Sequence, residues 1–539
     1  MPNRRSRASG AEIALLALLS GWALFPIVLF LLRAAQLHAI FTGADGLIGA
    51  DGVLGADQLQ YLAWARDAGS HVLASDLFTL APSGHVYLEP LFLVSGLLGR
   101  LGLSLSLAYL LWKPIAVVAL LLAAVGWSRR FFADDVAARA AAVALALFLC
   151  TPLAALYSWT QVGAAPFRFS LYLLGDELLA AGKLWGYLPG ALGMALVPVA
   201  LLAVERAIDP RGFGSATQRA HSISNAPGAW LTAVLASLGA AWLHPWQGIT
   251  LIIIYVGLAL WRRLGGAPML VLAGLGAALP LGYYFLLSHG DPAWQLASQY
   301  EVIPRLPALV LLAGLGPPLL LAAFGLRRPG QEVAEQVLVL WPVAVFVTYF
   351  ANDAFAAHAF QGLSFPLAIL IVRGGLRLRL PVAVGGVAVA ALSVPGLAFN
   401  ARKMVRTATG SHVQYVLPRS DARALAWINA RHPPGGVLAP TPFASVVPYR
   451  TGEAVWVGHG YWSRDYPERA RRADRLFDGH MAPGGARAFV RATGAGVVIS
   501  DCAHPARLGR TLAPLIAVSF RFGCARVYLL TAPRRSGRP

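Results

Sequence analysis

The chain has 539 residues, of which 57% are hydrophobic and 13% charged, and its mean hydropathy is +0.61. Soluble proteins carry about 25% charged residues, so this composition excludes an ordinary soluble enzyme and indicates a polytopic membrane protein. The net charge of +19 does not indicate nucleic-acid binding, because the basic residues fall between apolar runs and cover no single face. The three cysteines and twelve histidines show no metal-ligand spacing.

The apolar runs predict the transmembrane topology, since a spanning helix needs about 20 apolar residues. The first run follows three arginines and is too long for a cleaved signal peptide, so it predicts a retained anchor. A run at 88–98 is too short to cross and is expected to lie along the interface. About eleven spans are predicted, at 13–32, 105–127, 136–157, 186–204, 229–243, 248–261, 268–287, 306–326, 337–351, 360–372 and 380–398.

The charges of the connecting loops predict the orientation. If the N-terminus is cytoplasmic, alternate turns between the spans also face the cytoplasm. Each of these cytoplasmic turns contains arginine. The alternate loops, around His244, Asp291 and Asn352, nearly lack Lys and Arg. This bias is the positive-inside pattern, so we expect a cell-membrane protein whose N-terminus is cytoplasmic and whose C-terminal part is extracytoplasmic.

Residues 1–398 are thus predicted to form a transmembrane domain, and residues 399–539 a small soluble α/β domain. The tail pattern predicts helices at 420–429 and 464–477. Strands are predicted at 436–439, 454–457, 497–500 and 526–530. Cys502 and Cys524 flank two of these strands, and in an oxidising compartment they are candidates for a disulfide.

Two predicted external loops, 34–104 and 158–185, are too long for simple connections, and function usually resides in such loops. The first contains three Gly-Ala-Asp repeats, whose Asp45 and Asp51 are expected to shape turns. A calcium site formed by Asp45, Asp51 and Asp57 is an alternative. Because a helical pattern follows the third repeat, Asp57 is expected at the helix N-terminus, as a plain N-cap or as a catalytic base.

The external loops also gather carboxylates, cations and aromatic residues at one membrane face. Aromatic rings pack on sugar rings, carboxylates bond hydroxyl groups, and Arg or Lys neutralises phosphate, so this composition suits a phosphorylated sugar. The alternative is an interfacial aromatic belt with snorkelling cations. The candidate substrate-binding residues are Gln58, Tyr61, His85, Glu89, Arg168, Asp176, Lys183, Trp185, His244, Gln247, Arg305 and His358.

Two stretches of the first loop, ADQLQYLAWARD at 56–67 and EPLFLVSGLLGRLGLS at 89–104, resemble the GT-C glycosyltransferases. The closest branch is that of the protein mannosyltransferases and lipid A aminoarabinose transferases. The tail segment VGHGYW at 457–462 is similar to tails of bacterial members. Its residues 458–462 are a candidate contact, and a tight turn between elements is the alternative explanation of the two glycines. In this resemblance Asp57 takes the position of the catalytic carboxylate. Gln58 stands where many relatives have a second acidic residue, so a divalent cation stays an open expectation and no metal ligand is assigned.

The resemblance implies a hexosyl- or pentosyltransferase that takes its sugar from a polyprenyl-phosphate donor, usually with inversion, and passes it to a glycan, lipid or protein. Asp57 would accept the proton of the acceptor hydroxyl, while Arg168, Lys183 and Arg305 would stabilise the leaving phosphate. The alternatives are a transporter or flippase of lipid-linked sugars, or a non-catalytic protein of envelope glycan assembly. Transporters favour charges buried in their spans and duplicated halves, and neither pattern is visible in this sequence.

Overall fold

The computed structural model describes residues 9–47, 53–209, 226–300, 304–328, 330, 332–410, 412–504 and 508–531. Asp51 of the alternative calcium site lies outside these ranges. The chain divides into two compact units. Unit 1 comprises Met1–Leu24, Trp112–Phe285 and Val302–Lys403, and unit 2 comprises Phe25–Leu111, Leu286–Glu301 and Met404–Pro539. The division into domains at residue 398 stays a prediction.

Unit 1 is helical throughout its described part. The Leu188–Ile208 helix is buried along most of its length and packs against Trp112–Phe131 and Ala226–Leu243. Three helices, Gly10–Gln36, Ala267–Gly290 and Val382–Thr409, begin in unit 1 and continue into unit 2. The remaining helices and 3₁₀ turns are Val136–Phe148, Pro152–Thr160, Ala165–Leu178, Ala180–Leu184, Pro245–Trp261, Ala308–Gly325, Val333–Ala351, Ala356–Phe360 and Ser364–Arg377.

The helices confirm the predicted polytopic architecture. Seven described helices are long and apolar enough to cross a membrane, as judged by length and composition. The predicted spans at 136–157, 229–243, 248–261 and 360–372 coincide with shorter helices. The continuous span predicted at 136–157 is wrong, because the chain leaves the helix after Phe148. Thr151 then caps a second helix that begins at Pro152, whose ring cannot continue the first one.

Arginines at helix ends of unit 1 form ion pairs with glutamates. The buried carboxylate of Glu12 accepts hydrogen bonds from Arg129 at 3.0 Å and Arg139 at 3.1 Å. Glu205, also buried, accepts from Arg130 at 2.8 Å. A buried carboxylate requires such partners, because an uncompensated charge in a low-dielectric interior is strongly destabilising. Some of the arginines that indicated the topology therefore also connect helices.

Unit 2 combines the first long loop, the segment 286–301 and the C-terminal residues. Its helices and 3₁₀ turns are Val53–His71, Pro90–Arg100, Leu105–Leu110, Pro292–Tyr300, Arg419–Arg431, Phe443–Ser445, Val446–Thr451, Tyr466–Phe477, Pro483–Thr493, Leu508–Thr511 and Ala513–Leu515. Its strands are Ile40–Phe41, Val416–Leu417, Val437–Leu438, Val497–Ser500, Ile516–Phe522 and Ala525–Leu530. The first two strands pair antiparallel, which joins the start of the loop to the tail.

The other four strands form one sheet. Val497–Ser500 pairs in parallel with Val437–Leu438 and antiparallel with Ala525–Leu530, whose other edge carries Ile516–Phe522. Buried residues of this sheet share one core with the helices Tyr466–Phe477 and Pro483–Thr493. Phe477 and Phe489 contribute to this core from the two helices, and Trp456 contributes from the chain between them and the sheet. Cys502 and Cys524 form a disulfide with their Cα atoms 5.0 Å apart. The small C-terminal α/β fold predicted from the sequence is thus present.

Candidate functional site

Asp57 lies in the second turn of the Val53–His71 helix in unit 2. The prediction that it caps this helix is wrong, since the helix begins four residues earlier. Gly55 allows a close approach to the tail, because a Cβ atom there would stand 2.9 Å from the Gln414 side chain and 3.1 Å from the Tyr415 hydroxyl. The first helical turn therefore packs closely against the tail. The Asp57 side chain is 22% exposed, so a substrate can reach it.

Asp57 interacts with His459, which lies in the glycine-containing segment of the tail. The backbone N–H of Tyr461 donates to His459 Nδ1 at 3.2 Å, so this ring nitrogen is unprotonated. The neutral imidazole then carries its proton on Nε2, which donates to Asp57 Oδ1 at 2.8 Å. His459 is fully buried. The orientation of the Asp57 carboxyl is thus fixed by a hydrogen bond from His459.

Ser463 holds the segment that carries His459. Its hydroxyl oxygen accepts hydrogen bonds from the backbone N–H groups of Gly458 at 3.0 Å and His459 at 3.2 Å. The hydroxyl in turn donates to the Phe78 carbonyl at 2.8 Å. Because Phe78 belongs to the first long loop, this loop and the tail together position the histidine.

Four rings form an aromatic cluster in unit 2: Trp64, Tyr87, Trp294 and Trp462. Trp462 contacts Trp64 and Trp294 edge-on, with ring centroids 5.1 and 5.0 Å apart. Tyr87 lies 4.6 Å from Trp64 and 4.8 Å from Trp294. Trp64 is two helical turns beyond Asp57, and Trp462 is three residues beyond His459. The helix that carries Asp57 and the segment that carries His459 therefore also supply two of the four rings. The candidate residue Tyr61 stacks on Phe92 beside it, at 5.4 Å.

Two carboxyl groups near these elements are buried. Glu89 caps the Pro90–Arg100 helix by accepting from Phe92 N–H through Oε2 at 2.8 Å, while Oε1 has no partner among the described residues. Burial raises the pKa of Glu89 to about 8. For Asp76, burial and then the nearby charge of Asp291 raise the pKa to about 7. At neutral pH Glu89 is therefore largely protonated and can donate a hydrogen bond.

The candidates Gln58 and His85 have defined protein partners. Gln58 Oε1 accepts from the backbone N–H groups of Asp45 at 2.6 Å and Gly46 at 2.8 Å, which fixes the first repeat against the helix. His85 Nδ1 lies 3.2 Å from Asp67 Oδ2, and its ring stacks on His71. A substrate contact by either residue stays a prediction.

Unit 1 contains a buried polar cluster, formed by Glu177, Lys183, Gln247, His358 and Gln361. The ammonium of Lys183 lies 3.3 Å from Glu177, which also accepts from Gln361 at 2.6 Å and contacts His358 Nδ1 at 3.1 Å. Burial opposes the ionisation of Glu177, but Lys183 and His358 outweigh it and hold the pKa of that carboxyl far below its ordinary value. The buried pair is therefore ionic.

Further candidates border this cluster. Asp176 lies 3.1 Å from Lys183, so two carboxylates neutralise the ammonium. Gln247 donates to the Gln361 carbonyl at 2.8 Å. His244 is fully buried, neither ring nitrogen has a partner among the described residues, and its ring lies 5.6 Å from that of His358. The structure thus brings Asp176, Lys183, His244, Gln247 and His358 together.

The remaining candidates of unit 1 lie outside the buried polar cluster. Trp185 stacks on Trp22 with centroids 3.9 Å apart. Arg168 is exposed and donates from Nη1 to the carbonyls of Gln161 and Gly163, both at 2.6 Å. Arg305, also exposed, contacts Asp353 at 2.7 Å. The sequence-based assignment omitted His459, Trp294, Glu177 and Gln361.

The comparisons with known proteins give structural similarity alone. Neither a protein-family model nor a curated protein sequence matches the chain. Among solved structures it is similar to ArnT from Cupriavidus metallidurans in the apo state (13% identity, TM-score 0.43), with 95% of this chain and 98% of that chain covered. ArnT bound to undecaprenyl phosphate gives 14% identity and a TM-score of 0.42, with 95% and 99% covered.

The oligosaccharyltransferase of Archaeoglobus fulgidus in complex with Zn and sulfate is also similar to this chain, at 16% identity and a TM-score of 0.40. The match covers 90% of this chain and 68% of that one.

Proposed function

We propose that this chain is an integral-membrane glycosyltransferase that moves a sugar from a polyprenyl-phosphate donor to an acceptor hydroxyl on the extracytoplasmic face. Asp57 takes the hydroxyl proton as the acceptor oxygen bonds to the anomeric carbon. The bond from that carbon to the phosphate oxygen breaks, and the polyprenyl phosphate leaves with its electron pair. A positioned base contributes about 10²–10⁴-fold to such reactions.

The observation that carries the proposal is the hydrogen bond between Asp57 and His459. The tautomer set by the Tyr461 N–H makes His459 a donor, so its Nε2–H fixes the orientation of the Asp57 carboxyl. A carboxylate with a structural role alone has no need for accessible surface, yet Asp57 keeps 22% of its side chain exposed. An oriented, accessible carboxylate is what a general base requires.

The aromatic cluster supports a sugar as the substrate. Trp64 and Trp462 are buried, so Trp294, which is partly exposed, is the tryptophan of this cluster that can pack on a sugar ring. Glu89 is buried and caps the Pro90–Arg100 helix, so we assign its carboxyl to the support of this helix. We therefore assign sugar contact to Trp294 and proton transfer to Asp57.

Among the three cations of unit 1 that the sequence predicts to contact a phosphate, we favour Arg168, because Arg305 is already paired with Asp353 at 2.7 Å. Two carboxylates already neutralise Lys183, so it can give little further stabilisation to an incoming anion. Arg168 bonds to two carbonyls through Nη1 alone, and its other N–H groups have no partner among the described residues. Removing a donor that stabilises a developing negative charge typically costs about 3 kcal/mol.

A donor panel tests the reaction class. Purified protein in lipid nanodiscs is incubated with a set of radiolabelled polyprenyl-phosphate hexoses and pentoses, and release of polyprenyl phosphate is measured. The proposal predicts turnover of at least one donor, which identifies the sugar class. Folded protein that consumes no donor, with or without a crude envelope acceptor fraction, would contradict it.

A further inference from the structure

A second group of side chains in unit 2 has the composition of a metal site, and it lies apart from Asp57. Asp67, His71 and His85 each place one ligand atom within 4.8 Å of the other two. Asp67 and His71 lie in the last turns of the Val53–His71 helix, whereas His85 lies in the following loop. Two imidazoles and a carboxylate, with a water molecule, are a ligand set that Zn²⁺ accepts.

The imidazoles converge on one carboxylate. His71 Nδ1 lies 2.8 Å from Asp67 Oδ1, and His85 Nδ1 lies 3.2 Å from Asp67 Oδ2. The two rings stack with centroids 3.9 Å apart, and the Nδ1 atom of each contacts the Asp67 carboxylate. With metal–ligand distances of about 2.0–2.2 Å, neighbouring ligands of a tetrahedral ion stand about 3.3 Å apart. Small ring rotations at the exposed His71 and His85 reach that separation.

The carboxylate of Asp67 is oriented in the way that metal ligands commonly are. Its side chain is 7% exposed, and Oδ2 accepts hydrogen bonds from both the N–H and the hydroxyl of Ser75 at 2.7 Å. These bonds hold one oxygen and leave Oδ1 directed at His71. Partners of this kind fix the ligand orientation, and their loss typically weakens metal binding by about 10–100-fold.

We infer that Asp67, His71 and His85 form a binding site for a divalent transition-metal ion, with Zn²⁺ as the expected occupant and water as a further ligand. The ion would connect the end of the helix to His85. The chain between them contains Asp76 and Phe78, whose carbonyl supports the segment of His459. The role is therefore structural, and the inference is independent of the proposed glycosyl transfer because its test measures metal binding alone.

The test is titration of EDTA-treated full-length protein in nanodiscs with Zn²⁺ by calorimetry. We expect one ion per chain, binding at least 100-fold more weakly in the His71→Gln/His85→Gln double variant and about 10–100-fold more weakly in Ser75→Ala. Co²⁺ should give the visible absorption of a tetrahedral site in the wild type and lose it in the double variant.

His432→Asn is the matched control. His432 forms a histidine–carboxylate pair with Glu453 at 3.0 Å and belongs to no three-residue metal-ligand group among the described residues. Asn is tolerated at the positive φ of this residue, so the helix end is retained. Zn²⁺ affinity should be unchanged in this variant. Equal Zn²⁺ affinity in the wild type and the double variant, or no stoichiometric binding in the wild type, would overturn the inference.

Discussion

At the scale of single residues, the proposed mechanism assigns His459 the role of a positioning residue for Asp57. It is fully buried, so it touches no substrate itself, and its single proton is directed at the carboxylate. The tail therefore contributes to the environment of a side chain that belongs to the first loop.

Replacing His459 should lower turnover without weakening donor binding. In His459→Ala the carboxylate loses its orienting hydrogen bond, and we expect kcat to fall about 10–100-fold with KM nearly unchanged. His459→Gln, which keeps an N–H donor, should recover part of the loss. Steady-state donor hydrolysis measures both. A large rise of KM at unchanged kcat in His459→Ala would indicate a binding role instead.

Glu89 predicts a pH dependence of stability. Its pKa is raised in the folded protein to about 8 from an ordinary value of 4.5, so the folded state holds this proton more tightly than the unfolded state. The proton on Glu89 therefore makes its full contribution to the free energy of unfolding below pH 4.5, and this contribution is lost as the pH rises towards 8. Glu89→Gln keeps a cap for Phe92 but cannot ionise. Its melting temperature should fall less than that of the wild type between pH 5 and 8, and parallel curves would contradict this assignment.

At the scale of structural elements, the segment 458–463 is organised by one hydroxyl group. Ser463→Ala removes the acceptor of two backbone N–H groups and the donor to Phe78. Leaving buried polar groups unsatisfied costs about 1–3 kcal/mol. We expect lower resistance to denaturant and lower activity, because His459 loses its support. Ser298→Ala, which removes one exposed hydrogen bond to Gln295, is the control and should change neither.

The elements also show what the sequence could and could not predict. The spans follow from apolar runs, because lipid requires continuous apolar helices, and the short strands at 497–500 and 525–530 follow from β-branched residues. The start of the first-loop helix was misplaced, because Gly55 is a poor helix former by itself. Gly55 also lies against Gln414, a contact across the sequence that no local pattern contains.

The candidate site shows the same limit. The composition of the loops was sufficient to predict candidates for proton transfer or substrate binding, among them Asp57, Glu89, Lys183 and His358. Their partners could not be predicted, because a pair such as Asp57 and His459 is separated by 402 residues. The segment at 457–462 was recognised as a candidate contact, but its histidine was not assigned. Lys183, a candidate for binding phosphate, instead lies between two carboxylates.

At the scale of the whole molecule, the cysteines allow a test of the predicted orientation. Cys502 and Cys524 form a disulfide, and Cys150, the remaining cysteine, is buried. After mild reduction of intact cells or spheroplasts, a membrane-impermeant maleimide should label the wild type strongly. It should leave Cys502→Ser/Cys524→Ser nearly unlabelled. Labelling that requires permeabilised membranes would place the tail in the cytoplasm and contradict the positive-inside prediction.

The proposed chemistry is tested most directly by a single substitution at Asp57. Asp57→Asn keeps the size of the side chain and removes its capacity to accept a proton. Asp134→Asn, the same change at an exposed residue, is the control. With saturating donor and acceptor, single-turnover sugar transfer by Asp57→Asn should be at least about 100-fold slower than by Asp134→Asn, at equal expression and melting temperature. Equal rates in these two folded variants would contradict a base at this position and with it the proposed mechanism.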